Sequence, residues 1–321
     1  MQSMSLLSLR LGRGLLLGLL LAPLLPLGGS PALARDETAW RPVELPQSLQ
    51  RDVTSRHTGR TYRIFVAKPA GAAPAAGFPV LYALDGNTAF PTLSVVARRM
   101  AERAAVTGVP PTLVVAIGYP GSADEAVTAR ADDYTPPLPP GRPKSERGGE
   151  RQGGADRFLA FIEEELKPLI AAEFPVDPAR QGLFGHSYGG LFALHVLFTR
   201  PQAFHTYVAA SPSVWYGDRY LRLEREQLAA GARRQAQVLI TVGAREDDPP
   251  SDNPDSPRAR LLASRPMVTD AREMGLWLAG GARLAGPVRY EVLAGENHGS
   301  VILPSLTRAL AFLGDPEAMA P

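Results

Sequence analysis

The stretch Gly182–Phe198, reading GLFGHSYGGLFALHVLF, constrains the fold of this 321-residue chain more tightly than any other. A short apolar run (Gly182, Leu183, Phe184) ends abruptly in Gly185-His186-Ser187-Tyr188-Gly189-Gly190, and an apolar helical segment follows at once. This is a G-x-S-x-G sequence in the setting such a motif needs, a strand turning sharply into a helix. The glycines answer a backbone problem. A serine on so sharp a turn has strained dihedrals, and its neighbours two residues away must lack side chains for strand and helix to pass closely. The turn lifts Ser187 Oγ clear of the sheet and aims the first N–H groups of the helix at whatever it attacks. An incidental serine in a glycine-rich turn would not need these flanks. Ser187 reads as a nucleophile.

Around this unit the chain alternates between two hydrophobic periods. Strands are expected at Arg60–Lys68, Pro79–Leu84, Thr112–Ile117, Tyr207–Ala210, Gln237–Val242 and Val288–Leu293. Helices are expected at Ala89–Ala105, Asp156–Phe174, Pro266–Leu284 and Val301–Leu313, besides the one after Ser187. Strands alternating with helices predict an α/β fold, a mostly parallel central sheet with helices on both faces. Arg35–Gln50 reads as a surface lead-in, and 118–155 as a long loop containing a charged, Gly-rich tract from Arg142 to Gly154. Pro249–Pro257 reads as a polar loop.

The first 34 residues stand apart. Met1–Gly14 carries Arg10 and Arg13 and no acid, Leu15–Leu27 is apolar but broken by Pro23 and Pro26, and Ala32-Leu33-Ala34 is a small-residue exit. These features predict a secretory signal peptide over 1–34, the prolines arguing against a membrane anchor. The expected mature chain is then a single catalytic domain, 35–321, exported to the periplasm with no stable membrane insertion once the signal is cleaved. The full chain has 34 Lys+Arg and 32 Asp+Glu, and loss of Arg10 and Arg13 leaves 32 of each. A formally neutral domain carries no net-charge argument for nucleic acid. The absence of cysteine excludes a disulfide, a thiolate nucleophile or a thiolate metal site.

Catalytic groups in such a sheet gather beyond the carboxyl ends of the strands. Of the five histidines, only His298 follows a late strand, in the glycine-flanked loop Gly295-Glu296-Asn297-His298-Gly299. His57 and His205 precede strands, His186 lies inside the turn with its side chain expected to leave in another direction, and His195 lies down the following helix. His298 is therefore the expected general base. The orienting acid is expected after Gln237–Val242, where Glu246 is the first candidate and Asp247 and Asp248 are alternatives. Two N–H donors are needed for an oxyanion: Tyr188, directly after the nucleophile, and Asn87, in the turn Asp85-Gly86-Asn87 after an earlier buried strand.

Leu84-Asp85-Gly86-Asn87, Asp133-Tyr134-Thr135-Pro136, Gly185-His186-Ser187-Tyr188-Gly189-Gly190-Leu191-Phe192, Ser211-Pro212-Ser213-Val214-Trp215 and Gly295-Glu296-Asn297-His298 occur in that order. Together they resemble the α/β-hydrolase "putative esterase" family that includes S-formylglutathione hydrolase, and in particular its periplasmic ferric-siderophore esterases, which cut trilactones. The likeness runs from about Arg60 to Leu313. It implies an α/β-hydrolase fold, hydrolysis of a small-molecule carboxylic ester with neither metal nor organic cofactor, and an acyl-enzyme on Ser187. It also implies that Arg130, just before the Asp133 motif, touches an anionic substrate such as a ferric siderophore, with Tyr134 and Trp215 lining the substrate. Feruloyl and other acyl esterases and thioesterases share these motifs. A non-enzymatic siderophore-binding protein on the same fold would have no need of Ser187 and His298.

Overall fold

The structure, a computed structural model, describes residues 40–143, 151–231, 233–248, 256–281 and 283–317. The expected signal peptide, the middle of the Arg142–Gly154 tract and most of the Pro249–Pro257 loop lie outside the described residues. The chain divides into two units, Met1–Val43 and Glu44–Pro321, and the sheet with its helices belongs to the second.

Eight strands form one sheet: β1 (Ser48–Thr54), β2 (Thr61–Ala67), β3 (Phe78–Ala83), β4 (Leu113–Gly118), β5 (Val176–His186), β6 (Thr206–Ala210), β7 (Gln237–Gly243) and β8 (Val288–Leu293). Their spatial order is β1-β2-β4-β3-β5-β6-β7-β8. β3 to β8 run parallel, and β2 lies antiparallel to both β1 and β4. The sequence explains the difference. β3, β4, β6 and β7 are buried along their whole length, as strands covered on both faces must be, whereas β2 alternates buried and half-buried positions.

The helices cover both faces. On one, Tyr188–Thr199, Leu221–Ala230, Met267–Gly281 and a helical run over 155–173 pack on Leu183, Tyr207, Val238 and Ile240. On the other, Gly86–Ala101 and Ile302–Gly314 pack on Leu81, Val114, Phe184 and Val208. Every residue from Gly189 to Phe198 is buried, so the helix after Ser187 is apolar all round because it is enclosed all round. Each large side chain there contributes roughly 1.5–3 kcal/mol by burial. His195 is the exception in that helix. Its Nδ1 lies 2.9 Å from Glu224 Oε2 and its Nε2 3.2 Å from Asp156 Oδ1, so the imidazole joins three helices through two carboxylates.

Two expectations are corrected. The end of the expected lead-in, Ser48–Gln50, opens a strand, Ser48–Thr54, paired along its length with β2 from Ser48↔Ala67 to Thr54↔Thr61. It is an edge strand with mostly exposed side chains, so it lacks the apolar alternation that marks a strand in sequence. The expected long loop 118–155 contains the helix Ala123–Asp133. That helix has no broad apolar stripe, but its start is a capping box. Ser122 Oγ accepts from the Glu125 N–H, and the Glu125 carboxylate accepts from the Ser122 N–H. No described helix is long and apolar enough to cross a membrane.

Candidate active site

β3 and β5 are neighbours in the sheet, yet the chain leaves β3 toward β4 on one side and leaves β5 toward β6 on the other. Such a reversal opens a crevice beyond the carboxyl ends of the two strands. The turns after β3 and β5 meet there.

The turn after β5 carries Ser187 at φ 59° and ψ −115°, far from the ordinary basins for a residue with a side chain. Gly185 makes the turn possible, since a Cβ there would lie 2.1 Å from the Gly189 carbonyl oxygen. The Ser187 N–H donates to Ala210 O at 3.0 Å, tying the turn to the end of β6.

His298 comes from the loop after β8. Its Nε2 lies 3.2 Å from Ser187 Oγ and its Nδ1 2.7 Å from Glu246 Oε2. With Nδ1 donating to the carboxylate, Nε2 is left to accept the serine proton. The Glu246 carboxyl group is fully buried. Its Oε1 accepts from the Gly243 N–H at 2.7 Å and from the Ser211 hydroxyl. Burial alone would raise the pKa of Glu246, but the bonds from His298, Ser211 and Gly243 outweigh it and hold the carboxylate below its usual range. Asp247 and Asp248 are exposed and occupied elsewhere: Asp247 accepts from the Val268 N–H, and Asp248 pairs with Arg245 at 3.0 Å. The structure thus brings Ser187, His298 and Glu246 into one hydrogen-bonded line and leaves the two aspartates out of it.

The His186 side chain does not leave in another direction. Its ring lies 4.7 Å from that of His298, centroid to centroid. Burial, helped by the neighbouring His298, pushes its pKa down to about 3, so it packs there as a neutral ring.

Asn87 and Tyr188 both lie in the first turn of a helix, Gly86–Ala101 and Tyr188–Thr199, where backbone N–H groups have no acceptor within the helix. The Asn87 side chain is committed to the backbone of Tyr119, its Nδ2 donating to the carbonyl at 2.9 Å and its Oδ1 accepting from the N–H at 2.7 Å. That double bond anchors the start of the helix to the end of β4.

The expected substrate-lining residues divide. Trp215 is half-buried at the rim, its ring 5.9 Å from that of Tyr188, with the Arg265 guanidinium 3.8 Å over it. Tyr134 is corrected: it is fully buried, and its hydroxyl accepts from the Asp85 N–H at 3.1 Å, so it supports the turn from behind. Arg130 is already engaged. Its Nε and Nη2 donate to the two carboxylate oxygens of Asp85 at 2.8 and 2.9 Å, so the fork expected to grasp a substrate anion already holds one. The bonds from Ser211 to Glu246 and from Arg130 to Asp85 were not expected from sequence. Ser211 and Asp85 both belong to family-like motifs, but nothing local shows which distant group each meets. Among the described residues no group of three or more His, Asp or Glu side chains is arranged to hold a metal ion.

A profile of the family described as "Putative esterase" matches residues 55–268. The chain is 36% identical over 280 residues to the ferri-bacillibactin esterase of Bacillus subtilis, covering 85% of this chain and 91% of that one. It is 35% identical over 294 residues to the siderophore triacetylfusarinine C esterase of Aspergillus fumigatus, covering 84% and 94%. Among solved structures, a siderophore hydrolase from Aspergillus nidulans superposes with a TM-score of 0.75 at 31% identity, covering 88% of this chain and 99% of that one. Fold, matched span and full-length relatives agree: this chain is a carboxylic ester hydrolase of the α/β-hydrolase fold, a member of the "Putative esterase" family.

Proposed function

We propose that this esterase hydrolyses the ester bonds of a siderophore through an acyl-enzyme on Ser187. The observation that carries the chemistry is the unbroken line from Ser187 Oγ through His298 to the buried Glu246 carboxylate. His298 Nε2 takes the proton of Ser187 as the serine oxygen attacks the ester carbonyl. The N–H groups of Asn87 and Tyr188 receive the oxyanion, a contribution typically on the order of 3–4 kcal/mol per donor. His298 returns its proton to the departing alcohol, then activates a water that releases the acid and frees Ser187. Glu246 keeps the imidazole in the right tautomer and stabilises its protonated form. Trp215 at the rim contacts the part of the substrate beyond the scissile ester.

The substrate class rests on the relatives, whose names specify ferri-bacillibactin and triacetylfusarinine C. The test is a hydrolysis panel on purified protein: ferric trilactone siderophores, a ferric hydroxamate siderophore ester, feruloyl esters, a glutathione thioester and p-nitrophenyl esters. A siderophore ester is expected to give the highest kcat/KM. A feruloyl ester or the thioester leading the panel would replace the siderophore with that substrate.

The charged start, apolar middle and Ala32-Leu33-Ala34 exit support export to the periplasm with cleavage before Arg35. N-terminal sequencing of the protein from the periplasmic fraction should begin at Arg35 or within a few residues of it. An intact Met1 on membrane-bound protein would refute export by cleavage.

A further inference from the structure

Asp85, the residue before the helix Gly86–Ala101, has φ 54° and ψ 44°. The left-handed region costs a residue with a side chain on the order of 1–2 kcal/mol, so the surroundings must hold it there. Its N–H donates to Tyr134 Oη at 3.1 Å, and its carbonyl accepts from the N–H groups of Thr88 and Ala89, both at 3.0 Å. Its carboxylate is gripped by Arg130 through two parallel bonds. The Arg130 and Asp85 side chains are only 22% and 23% exposed, which separates this pair from the solvent-screened ion pairs that contribute little.

The same guanidinium also reaches the other turn. Its Cζ lies 5.8 Å from the ring centroid of Tyr188 and 5.3 Å from that of Tyr134, within cation–π range of both. Arg130 therefore touches the turn that presents the Asn87 N–H and the residue that presents the Tyr188 N–H. Its own base is firm. It sits in the last turn of the capped helix Ala123–Asp133. That helix ends on Asp133, whose carboxylate accepts from Arg60 at 2.6 Å, Tyr62 at 3.0 Å and Tyr119 at 3.1 Å.

We propose that Arg130 is a positioning residue which, through Asp85 and the Tyr188 ring, fixes the spacing of the two N–H donors that receive the oxyanion. The proposal rests on the oxyanion role of Asn87 and Tyr188, but not on the identity of the ester. Donors placed for a tetrahedral oxyanion act mainly in the transition state, so their displacement lowers kcat and leaves KM nearly alone. A side chain that binds a substrate anion does the reverse, and only for charged substrates.

The test uses a neutral p-nitrophenyl ester, its thionoester analogue and an anionic ester with the wild type, Arg130→Gln, Arg130→Lys, Asp85→Asn and the Arg130→Gln/Asp85→Asn double variant. Arg130→Gln and Asp85→Asn are each expected to lower kcat on the neutral ester about 10- to 100-fold, with KM within about twofold. The double variant is expected to be no worse than either single one, because the two side chains act as a unit. Arg130→Lys should recover part of the loss, since it keeps the charge without the fork. Preference for the oxygen ester over the thionoester should narrow in the same variants, a change that general loosening of the fold does not produce. Thermal unfolding identifies any variant that fails to fold, and Arg130→Lys with Asp85→Asn then carries the comparison. A KM increase confined to the anionic ester at unchanged kcat would overturn the proposal in favour of substrate binding. So would additive losses or unchanged kcat. The neutral ester keeps this result separate from the siderophore panel, so either can fail alone.

Discussion

Ser187→Ala and His298→Ala are each expected to lower kcat by about 10⁴-fold or more while leaving the thermal transition close to that of the wild type. Both side chains stand on turns beyond the sheet, Ser187 half-buried and His298 with 46% of its side chain exposed, so neither truncation opens a large cavity in the core. The loss in the Ser187→Ala/His298→Ala double variant should match that of one single variant, because the base without its nucleophile has nothing to deprotonate. Steady-state kinetics on a p-nitrophenyl ester measures all three. Additive losses would mean the two residues are not partners. Glu246→Ala is expected to cost less than either, since the serine and imidazole remain. A larger loss in Asp247→Ala or Asp248→Ala would contradict the 2.7 Å contact between His298 and Glu246.

The second large effect concerns stability. Burial of His195 opposes its charge, but its bonds to Asp156 and Glu224 outweigh that and push its pKa up to about 9, from an ordinary value of 6.5. A histidine whose pKa is raised by folding stabilises the folded chain fully below the unfolded value. That stabilisation fades as pH rises from about 6.5 through 9 and is gone above both values. The difference corresponds to a contribution on the order of 3 kcal/mol at pH 6. The Glu224 side chain is buried beside the imidazole, whereas the Asp156 side chain is 65% exposed and its pairing is screened by solvent. Urea unfolding at pH 6, 7.5 and 9.5 should show a decline in the wild type that is much smaller in His195→Leu/Glu224→Leu. His195→Leu alone leaves the Glu224 carboxylate buried without its partner and should be the least stable at pH 6, by about 3–5 kcal/mol. An identical pH slope in the wild type and the double variant would refute a charged His195.

Both predictions start from residues visible in the sequence, but only one set could be given its role there. Ser187 was legible because the glycines around it have a single steric use, and His298 because strand order leaves one histidine after the last strand. The acid was legible only as a choice of three adjacent residues. What separates Glu246 from Asp247 and Asp248 is its contact with His298 and with the Ser211 hydroxyl from another strand end, both made at a distance in the chain. The helix Ala123–Asp133 was missed because its buried face is built from Ala129, Ala131, Asp132 and Asp133, not from large apolar side chains. Its Ser122-to-Glu125 capping box was nonetheless present in the sequence. Tyr134 and Arg130 stand near motif residues, and proximity in a motif does not distinguish a side chain that meets the ligand from one that braces the turn that does. His195 showed no signal, since a histidine among apolar residues looks the same whether or not two acids from other helices reach it.

The exposure of His298 has a consequence for how large a molecule can be processed. With 46% of the His298 side chain exposed and Ser187 only half-buried, the reacting bond need not be enclosed for the base and the nucleophile to reach it. An ester can therefore approach the reacting pair from solvent, past the half-buried Trp215.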